Sequence, residues 1–274
     1  MHNQLPMPDE PSIAPVLRYP GGKQRILKFL SAYLPPAGSI GGRYIEPFVG
    51  GASVFLHVGP HRAILSDSNA ELIDLYRGIK LEPLSVWRTY ASFLDTKEEY
   101  IRVRRINPRW LNLAERTARL LYLNRTCFKG NWRHNSNGHF NIGYGGQSRR
   151  WVINLEYLSS VSKALASTEI LCSDFEGVIE LCKRGDFIFL DPPYSPGQKE
   201  LINDHYVSKH FSFSDHERLA SALWRASQRG ARWCMTTSGH PAIIGLFRSA
   251  RIVSMRTRRD NGLETTEVLV IGGG

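Results

Sequence analysis

Several features that would assign a chain to a well-known class are absent from this sequence of 274 residues. No stretch reaches about 18 consecutive apolar residues, so no membrane-spanning helix is predicted. The first residues are polar and rich in proline, and they lack the apolar core of a signal peptide. We therefore interpret residues 1–15 as a flexible N-terminal tail and expect the protein to work in the cytoplasm.

Cysteine is scarce, and the four cysteines that occur show no C-x-x-C spacing. Zinc sites and disulfide frameworks are recognised by paired or regularly spaced cysteines. Neither kind of site is indicated here, so we expect no metal, and a reducing compartment fits best. The four residues are Cys127, Cys172, Cys182 and Cys234.

Acidic residues are few in one part of the chain. The net charge is +10, and residues 77–156 hold 15 Lys and Arg against 6 Asp and Glu. Such a local excess is typical of a protein that binds a polyanion such as nucleic acid, although a solvated basic surface would give the same count. Aromatic side chains that can stack on bases or wedge into a duplex are interspersed with these cations. They are Trp110, Tyr122, Phe128, Trp132, His134, Phe140 and Tyr144.

Hydrophobic periodicity predicts an α/β fold. Five short strand-like runs are separated by helical patterns, which is typical of a parallel sheet with helices on both faces. Residues 80–124 carry helical spacing only, and residues 130–146 have the composition of a loop or irregular hairpin, so we predict a mostly helical insertion. Asn261-Gly262 predicts a C-terminal β-hairpin between strands 252–258 and 266–271. The five runs are residues 43–48, 63–66, 170–172, 187–190 and 232–237.

Two helix starts carry local signals. Residues 24–34 have the apolar spacing of one buried helical face. The turn Tyr19-Pro20-Gly21-Gly22-Lys23 precedes them, and backbone N–H groups at such a position attract anions. A later helix, ending near Gln228, is predicted to begin at a capping box formed by Ser214 and Glu217.

A glycine-rich turn from Glu46 to Ser53 joins the first strand to a helix. Glycine lets the backbone approach a ligand closely, and Asp67 follows the next strand, as the ribose-binding acid does in nucleotide-binding folds. The dinucleotide pattern G-x-G-x-x-G fails, because Ala52 and Phe55 stand where glycines are required. This argues against a NAD-type dehydrogenase and favours a cofactor with an adenosine but no pyrophosphate, such as S-adenosylmethionine. A structural turn is the alternative.

The tetrapeptide Asp191-Pro192-Pro193-Tyr194 follows the apolar strand 187–190. Proline has a carbonyl but no N–H, so the tetrapeptide presents hydrogen-bond acceptors beside an aromatic face. A planar ring with an exocyclic amine, such as a nucleobase, fits this combination. A proline-rich turn after a core strand is the alternative.

Taken in order, several segments resemble the Dam-like (D12 class, α-group) DNA adenine-N6 methyltransferases, over residues 17–271. The resemblance implies a Rossmann-like methyltransferase sheet with an S-adenosylmethionine-binding catalytic domain at 16–76 and 157–274. It further implies an inserted, mainly helical DNA target-recognition domain at 77–156. The segments are Tyr19-Pro-Gly-Gly-Lys23, Glu46-Pro-Phe-Val-Gly-Gly-Ala-Ser-Val-Phe-Leu56, Ser66-Asp-Ser-Asn69, Leu121-Tyr-Leu-Asn-Arg125, Phe140-Asn141 and Asp191-Pro-Pro-Tyr194.

Roles for individual residues follow from the resemblance. In the implied reaction, Asp191 and the Pro192 carbonyl accept the two N6 hydrogens of a flipped adenine, and Tyr194 stacks on its ring. The implied catalytic residues are Asp191, Pro192, Pro193 and Tyr194. The implied cofactor-binding residues are Tyr19, Lys23, Phe48, Gly50, Asp67, Asp174, Phe175 and Asp191. The implied DNA-binding residues are Arg125, Phe128, Lys129, Asn131, Arg133 and Asn135.

The resemblance also implies double-stranded DNA as the substrate. Nothing in the sequence indicates an obligate protein partner, and a monomer is the default expectation. Arg133 matches an arginine that reads a guanine, although a phosphate clamp is the alternative. Asn131-Trp132 and Ile142-Gly143 stand where GATC readers carry Leu-Cys and often Val-Pro, so the target is GATC or a related site. Gly51-Ala52 replaces a common Ala-Gly, a change that leaves cofactor binding intact.

Two rival functions remain at this point. One is a methyltransferase for RNA or for cytosine N4, because Asp-Pro-Pro-Tyr occurs in other amino-methyltransferases. The other is a catalytically silent DNA-binding protein, against which the cofactor loop, Asp67 and Asp191 argue.

Overall fold

The structure of the protein is a computed structural model that describes residues 13–19, 22–135, 139–146, 153–193, 211–258 and 264–273. Its strands form a single seven-stranded sheet. In chain order they are β1 (Tyr44–Glu46), β2 (Ala63–Asp67), β3 (Thr168–Cys172), β4 (Phe187–Leu190), β5 (Arg232–Ser238), β6 (Arg251–Arg258) and β7 (Glu264–Gly272).

The strand order is β3-β2-β1-β4-β5-β7-β6. The first five strands are parallel, whereas β7 pairs antiparallel with both β5 and β6. The order changes direction between β1 and β4, and ligands of open α/β sheets bind at the carboxyl ends of strands at such a point. The expected ligand crevice therefore lies where the chain leaves β1 and β4.

Helices cover the sheet on both sides. None of the helices in the described part of the chain is long and apolar enough to cross a membrane. These helices are α1 (Leu27–Leu30), α2 (Ser53–Val58), α3 (Ala70–Leu81), α4 (Pro83–Ser92), α5 (Lys97–Arg105), α6 (Leu113–Thr126), α7 (Leu155–Leu165), α8 (Phe175–Glu180), α9 (Phe213–Gln228) and α10 (Pro241–Ile244).

Alternating side chains of the central strands enter two hydrophobic cores. On one face, Tyr44 and Leu65 pack with residues of helices α1 to α7. On the other face, Ile45 and Ile64 pack with α8 and α9. The predicted α/β sheet with helices on both faces and a C-terminal hairpin is therefore confirmed, with β7 making the sheet mixed.

The helical insertion packs around α6. This helix contacts α3, α4 and α5, and eleven of its fourteen residues are buried. Its apolar side chains belong to the same core as Tyr44 and Leu65. Residue 77, a predicted domain boundary, lies within α3. The division of the chain at residues 77 and 156 stays a prediction.

Two predicted helix starts differ from the structure. Residues 24–34 form a 3-10 helix (Lys23–Ile26) followed by the short α1, because the Ile26 backbone, at φ −109° and ψ 4°, interrupts the α-helical hydrogen bonding. The apolar side chains still face the core. The capping box of α9 is formed by Ser212 and Asp215. The predicted pair Ser214–Glu217 was wrong. Both pairs have the same i, i+3 spacing, so the spacing alone could not distinguish them.

Candidate active site

The loop between β1 and α2 is bent by two residues with left-handed backbones. Gly50 has φ 42° and Ala52 has φ 53°. A Cβ atom on Gly50 would stand 3.0 Å from Cε1 of Tyr19, and the Tyr76 hydroxyl donates to the Gly50 carbonyl over 2.6 Å. Glycine is therefore required at position 50 both for the conformation and for the contact with Tyr19.

Asp67, at the end of β2, holds this loop. The N–H of Gly50 donates to Asp67 Oδ2 over 3.2 Å, and the N–H of Asn69 donates to Oδ1 over 3.0 Å. Burial raises the pKa of Asp67, while these backbone hydrogen bonds act in the opposite direction. The glycine loop and Asp67, each predicted to bind the cofactor, are therefore in direct contact with each other, and their cofactor roles stay predictions.

An aromatic cluster lies beside the crevice. The rings of Phe48 and Phe175 stack with centroids 5.4 Å apart, and Phe211 meets Phe48 edge-on at 5.8 Å. The guanidinium carbon of Arg218 lies 4.8 Å from the Phe175 ring centroid, and its Nη2 is 2.8 Å from Asp174 Oδ1. Three predicted cofactor residues, Phe48, Asp174 and Phe175, thus form one group that the sequence did not connect with Phe211 or Arg218.

Asp191 follows β4 directly, at the change in strand order. Its Oδ1 lies 2.9 Å from Lys23 Nζ and accepts a hydrogen bond of 2.7 Å from the Thr236 hydroxyl. Lys23 is only 5% exposed, so this ion pair lies at the edge of the core. Lys23 also approaches Glu267, with Nζ 3.9 Å from Oε2. Tyr194, the predicted stacking residue, lies outside the described residues.

Glu46 is a buried acid that sequence reasoning did not single out. It ends β1, is 3% exposed, and accepts a hydrogen bond of 2.7 Å from the Tyr44 hydroxyl. Burial raises its pKa to about 8, with the charge of Asp191 acting in the same direction. Glu46 therefore holds its proton more strongly than an ordinary glutamate does.

Most of the predicted DNA-binding residues lie on one irregular hairpin. Antiparallel bridges at Cys127–Tyr144 and His134–Phe140 close it. Arg133 Nε donates to Asn141 Oδ1 over 3.0 Å. Phe128, Asn131 and Arg133 line a shallow depression on this hairpin. Lys129 is exposed and Asn135 lines a neighbouring cleft with Arg104 and Arg105.

Arg125 lies elsewhere. It is 2% exposed, and its Nη2 donates to the carbonyls of Pro15 (3.1 Å) and Val16. Burial lowers its pKa to about 10. The neighbouring Asn124 bonds the backbone of Arg18 through both its carbonyl and its amide. Asn124 and Arg125 therefore hold residues 15–18 against α6, and the Arg125 guanidinium is buried rather than exposed as expected for a DNA contact.

A comparison with known families covers this whole arrangement. The family model described as D12 class N6 adenine-specific DNA methyltransferase matches residues 19–261. The chain belongs to this family. The matched range includes the Gly50 loop, Asp67, the hairpin with Arg133, and Asp191.

Curated relatives of this D12-class methyltransferase occur in phages, bacteria and archaea. The DNA N-6-adenine-methyltransferase of Escherichia phage P1 is 36% identical over 250 residues, or 89% of this chain and 32% of that protein. A type II methyltransferase of Lactococcus lactis subsp. cremoris is 28% identical over 96% of each chain. Another, of Methanocaldococcus jannaschii, is 34% identical over 85% of this chain and 87% of its own. The chain thus spans about a third of the phage protein.

Two residues that contact the predicted site residues, Thr236 and Phe211, had no signal in the sequence. Thr236 lies 45 positions after Asp191, and no spacing rule connects the two. Phe211 follows a polar stretch without periodicity. Within the described ranges, no group of three or more His, Cys, Asp or Glu side chains could hold a metal ion.

Proposed function

We propose that the protein transfers the methyl group of S-adenosylmethionine to N6 of an adenine in double-stranded DNA. The observation that carries this proposal is the position of Asp191. It leaves β4 at the change in strand order, where Lys23 Nζ lies 2.9 Å from one oxygen of its carboxylate. The glycine loop, whose Gly50 N–H donates to Asp67, follows the adjacent strand β1. Family membership supports the same reaction class.

The residues around the crevice suit an adenosine-containing cofactor. The Phe48–Phe175 stack provides an apolar wall of the kind on which an adenine can pack. Asp67 has the charge needed to bind ribose hydroxyls, and Gly50 keeps the loop free of a side chain. Lys23 supplies a positive charge for a carboxylate. We propose these residues together with Tyr19 and Asp174 as the cofactor-binding set.

The chain's own part in the reaction is positioning and electrostatics. A stacked adenine is inaccessible, so the target base is flipped out of the duplex first, which costs a few kcal/mol. The Asp191 carboxylate and the Pro192 carbonyl then accept hydrogen bonds from the two N–H groups of N6, and Tyr194 stacks on the ring. These contacts favour a pyramidal nitrogen, whose lone pair is otherwise delocalised into the ring.

When bound, S-adenosylmethionine would supply a methyl group on positively charged sulfur. The neutral thioether would leave with the electrons of the S–C bond, and the proton lost by N6 would pass to solvent. Holding the reacting atoms in line accounts for most of such a rate enhancement. The role left to the chain is therefore to orient N6 and to exclude water.

For the DNA side we propose Phe128, Lys129, Asn131, Arg133 and Asn135. Arg125 is left out, because its guanidinium is buried against backbone carbonyls. The site read is GATC or a related sequence, and Arg133 is the proposed guanine reader. The proposed monomeric state and cytoplasmic location rest on the sequence alone.

The test is product analysis with matched substrates. The purified protein is incubated with labelled S-adenosylmethionine and either duplex DNA or RNA, and the modified nucleosides are identified by mass spectrometry. We expect N6-methyladenine in DNA from the wild-type protein and none from Asp191→Ala, which still folds and binds DNA. N4-methylcytosine, labelled RNA, or near-normal turnover by Asp191→Ala would contradict the proposal. Failure to bind the cofactor would favour a silent DNA-binding protein.

A separate measurement tests the guanine reader. Arg133→Ala should lose discrimination at one base pair of the target, by about 1–3 kcal/mol, because a bidentate contact to guanine is removed. Arg109→Ala, which removes an exposed arginine outside the hairpin, is the control. Weaker binding of all sequences with a smaller salt slope would instead identify Arg133 as a phosphate clamp.

A further inference from the structure

We infer that Thr236 is a positioning residue, which fixes the orientation of the Asp191 carboxylate toward the target amino group. The inference rests on the proposed function. Its starting point is the pairing of two parallel strands, in which Leu190 of β4 stands opposite Met235 of β5. The residue that follows Leu190 is Asp191, directly after β4, and the residue that follows Met235 is Thr236. The sheet itself therefore brings the hydroxyl beside the carboxylate.

The contact uses one carboxylate oxygen only. The Thr236 hydroxyl donates to Asp191 Oδ1 over 2.7 Å, and Lys23 Nζ lies 2.9 Å from the same atom. No described residue donates to Oδ2, and the Asp191 side chain is 23% exposed. The two donors therefore both contact Oδ1, and Oδ2 is the oxygen that we assign to the hydrogen bond from the exocyclic amine.

The two donors differ in stiffness, and this difference gives Thr236 its role. Lysine has a long flexible side chain whose ammonium can follow either oxygen of a rotating carboxylate. Threonine is β-branched and restricted at χ1, and Thr236 is 1% exposed within a strand. Its hydroxyl also lies 3.4 Å from the Leu190 carbonyl, a longer contact than the one to Asp191. A fixed donor prevents rotation of the carboxylate, whereas Lys23 alone does not.

The neighbouring residue offers a matched control. Thr237 is 0% exposed, and its hydroxyl oxygen has no hydrogen-bond partner among the described residues. Because side chains alternate along a strand, Thr237 points to the opposite face of the sheet from Thr236. The same substitution at both positions therefore separates loss of the contact to Asp191 from loss of a buried hydroxyl in β5.

The experiment compares Thr236→Val, Thr236→Ser, Thr236→Ala and Thr237→Val in steady-state and single-turnover methylation of duplex DNA. Hydrogen bonds to charged groups have substantial free energies, so we expect Thr236→Val to lower kcat by about 10- to 100-fold. KM for S-adenosylmethionine and Kd for DNA should stay within about twofold, because the contact acts on the reacting nitrogen. Thr236→Ser should restore most of the rate, and Thr237→Val should resemble the wild type.

Other outcomes have distinct meanings. If Thr236→Val does not fold, the comparison of Ser with Ala at position 236 still isolates the hydroxyl, and equal rates for these two variants would overturn the inference. A raised KM at unchanged kcat would overturn it as well. Absence of N6-methyladenine from the wild-type protein would contradict the proposed function, whereas a full wild-type rate in Thr236→Val contradicts only the role of Thr236.

Discussion

Buried charged side chains take different roles at the scale of single residues. The Arg125 guanidinium donates to the backbone carbonyls of Pro15 and Val16, whereas Lys23 pairs with the carboxylate of Asp191. Both residues belong to segments that resemble the family. Only their surroundings distinguish a cation bonded to backbone carbonyls from one that we propose to act in the site.

Replacing Arg125 should reduce stability and leave DNA recognition unchanged. Arg125→Met keeps the apolar stem but leaves the carbonyls of Pro15 and Val16 unsatisfied, so we expect a loss of about 2–4 kcal/mol in the free energy of unfolding. Urea unfolding followed by circular dichroism measures this loss. An unchanged midpoint, or a selective loss of target discrimination in the folded variant, would contradict the structural role.

Glu46 should make stability depend on pH. Its folded-state pKa of about 8 exceeds the ordinary value of a glutamate because of burial. Its stabilising contribution is therefore complete below the ordinary value and is lost as pH rises toward about 8. The free energy of unfolding should fall over this interval by at least about 1 kcal/mol.

Glu46→Gln cannot ionise, so this part of the pH dependence should disappear in the variant. Denaturant unfolding at several pH values between 5 and 9, for wild type and variant, gives the two slopes. Parallel curves would show that Glu46 does not titrate in this range.

At the scale of elements, α8 and α9 are joined by a ladder of ion pairs at the edge of the proposed cofactor pocket. Arg218 pairs with Asp174, Glu176 and Asp215, while Arg225 pairs with Glu176 and Glu180. Exposed pairs contribute little to stability. Arg218 also covers the Phe175 ring, so this end of the ladder adjoins two residues that we propose to bind the cofactor.

Arg218→Gln should weaken cofactor binding. Without the guanidinium, the side chains of Asp174 and Phe175 lose the group that contacts both of them and fixes their positions. We therefore expect the Kd for S-adenosylhomocysteine to rise by about 3- to 10-fold. Calorimetric titration measures the change. The control is Arg225→Gln, which breaks pairs on the same two helices without touching Asp174 or Phe175. Equal effects of the two variants would refute a specific role for Arg218.

At the scale of the whole molecule, fewer cations of the basic segment 77–156 are available to contact DNA than its number of Lys and Arg residues indicates. Several of its cations donate to backbone carbonyls and hold the fold together. These contacts are Arg77 to Ile170, Lys80 to Thr168, Arg104 to Ile142, Arg119 to Val103 and Arg125 to Pro15. The basic excess is thus in part a feature of packing.

The salt dependence of DNA binding should reflect this distribution. Each phosphate contact contributes about −0.9 to the slope of log K against log salt concentration. We expect a slope shallower than about −8, which corresponds to fewer contacts than the net charge of the segment would allow. Fluorescence anisotropy with a labelled duplex at several salt concentrations measures the slope. A steeper slope would mean that the cations bonded to carbonyls also contact phosphate.

The sequence alone was sufficient for features that depend on neighbouring residues. Strand-to-helix turns depend on local backbone preferences, so the Gly50 loop, Asp67 and the strand before Asp191 were predicted from patterns of a few residues. The exact start of α9 was not fixed by local pattern, because Ser212 and Ser214 offer the same capping spacing. The placement of most predicted site residues was therefore consistent with the pattern, while their roles stay proposals.

Only the tertiary structure decided which distant groups meet. Strand pairing brings Thr236 to Asp191, and helix packing buries Arg125 while leaving Arg133 on a hairpin at the surface. The physical reason is that burial and pairing depend on contacts between segments far apart in the chain. Local periodicity carries no information about such contacts. The sequence thus determined the chemistry available at the carboxyl ends of the strands, and the fold determined which oxygen of Asp191 is contacted by Thr236 and Lys23.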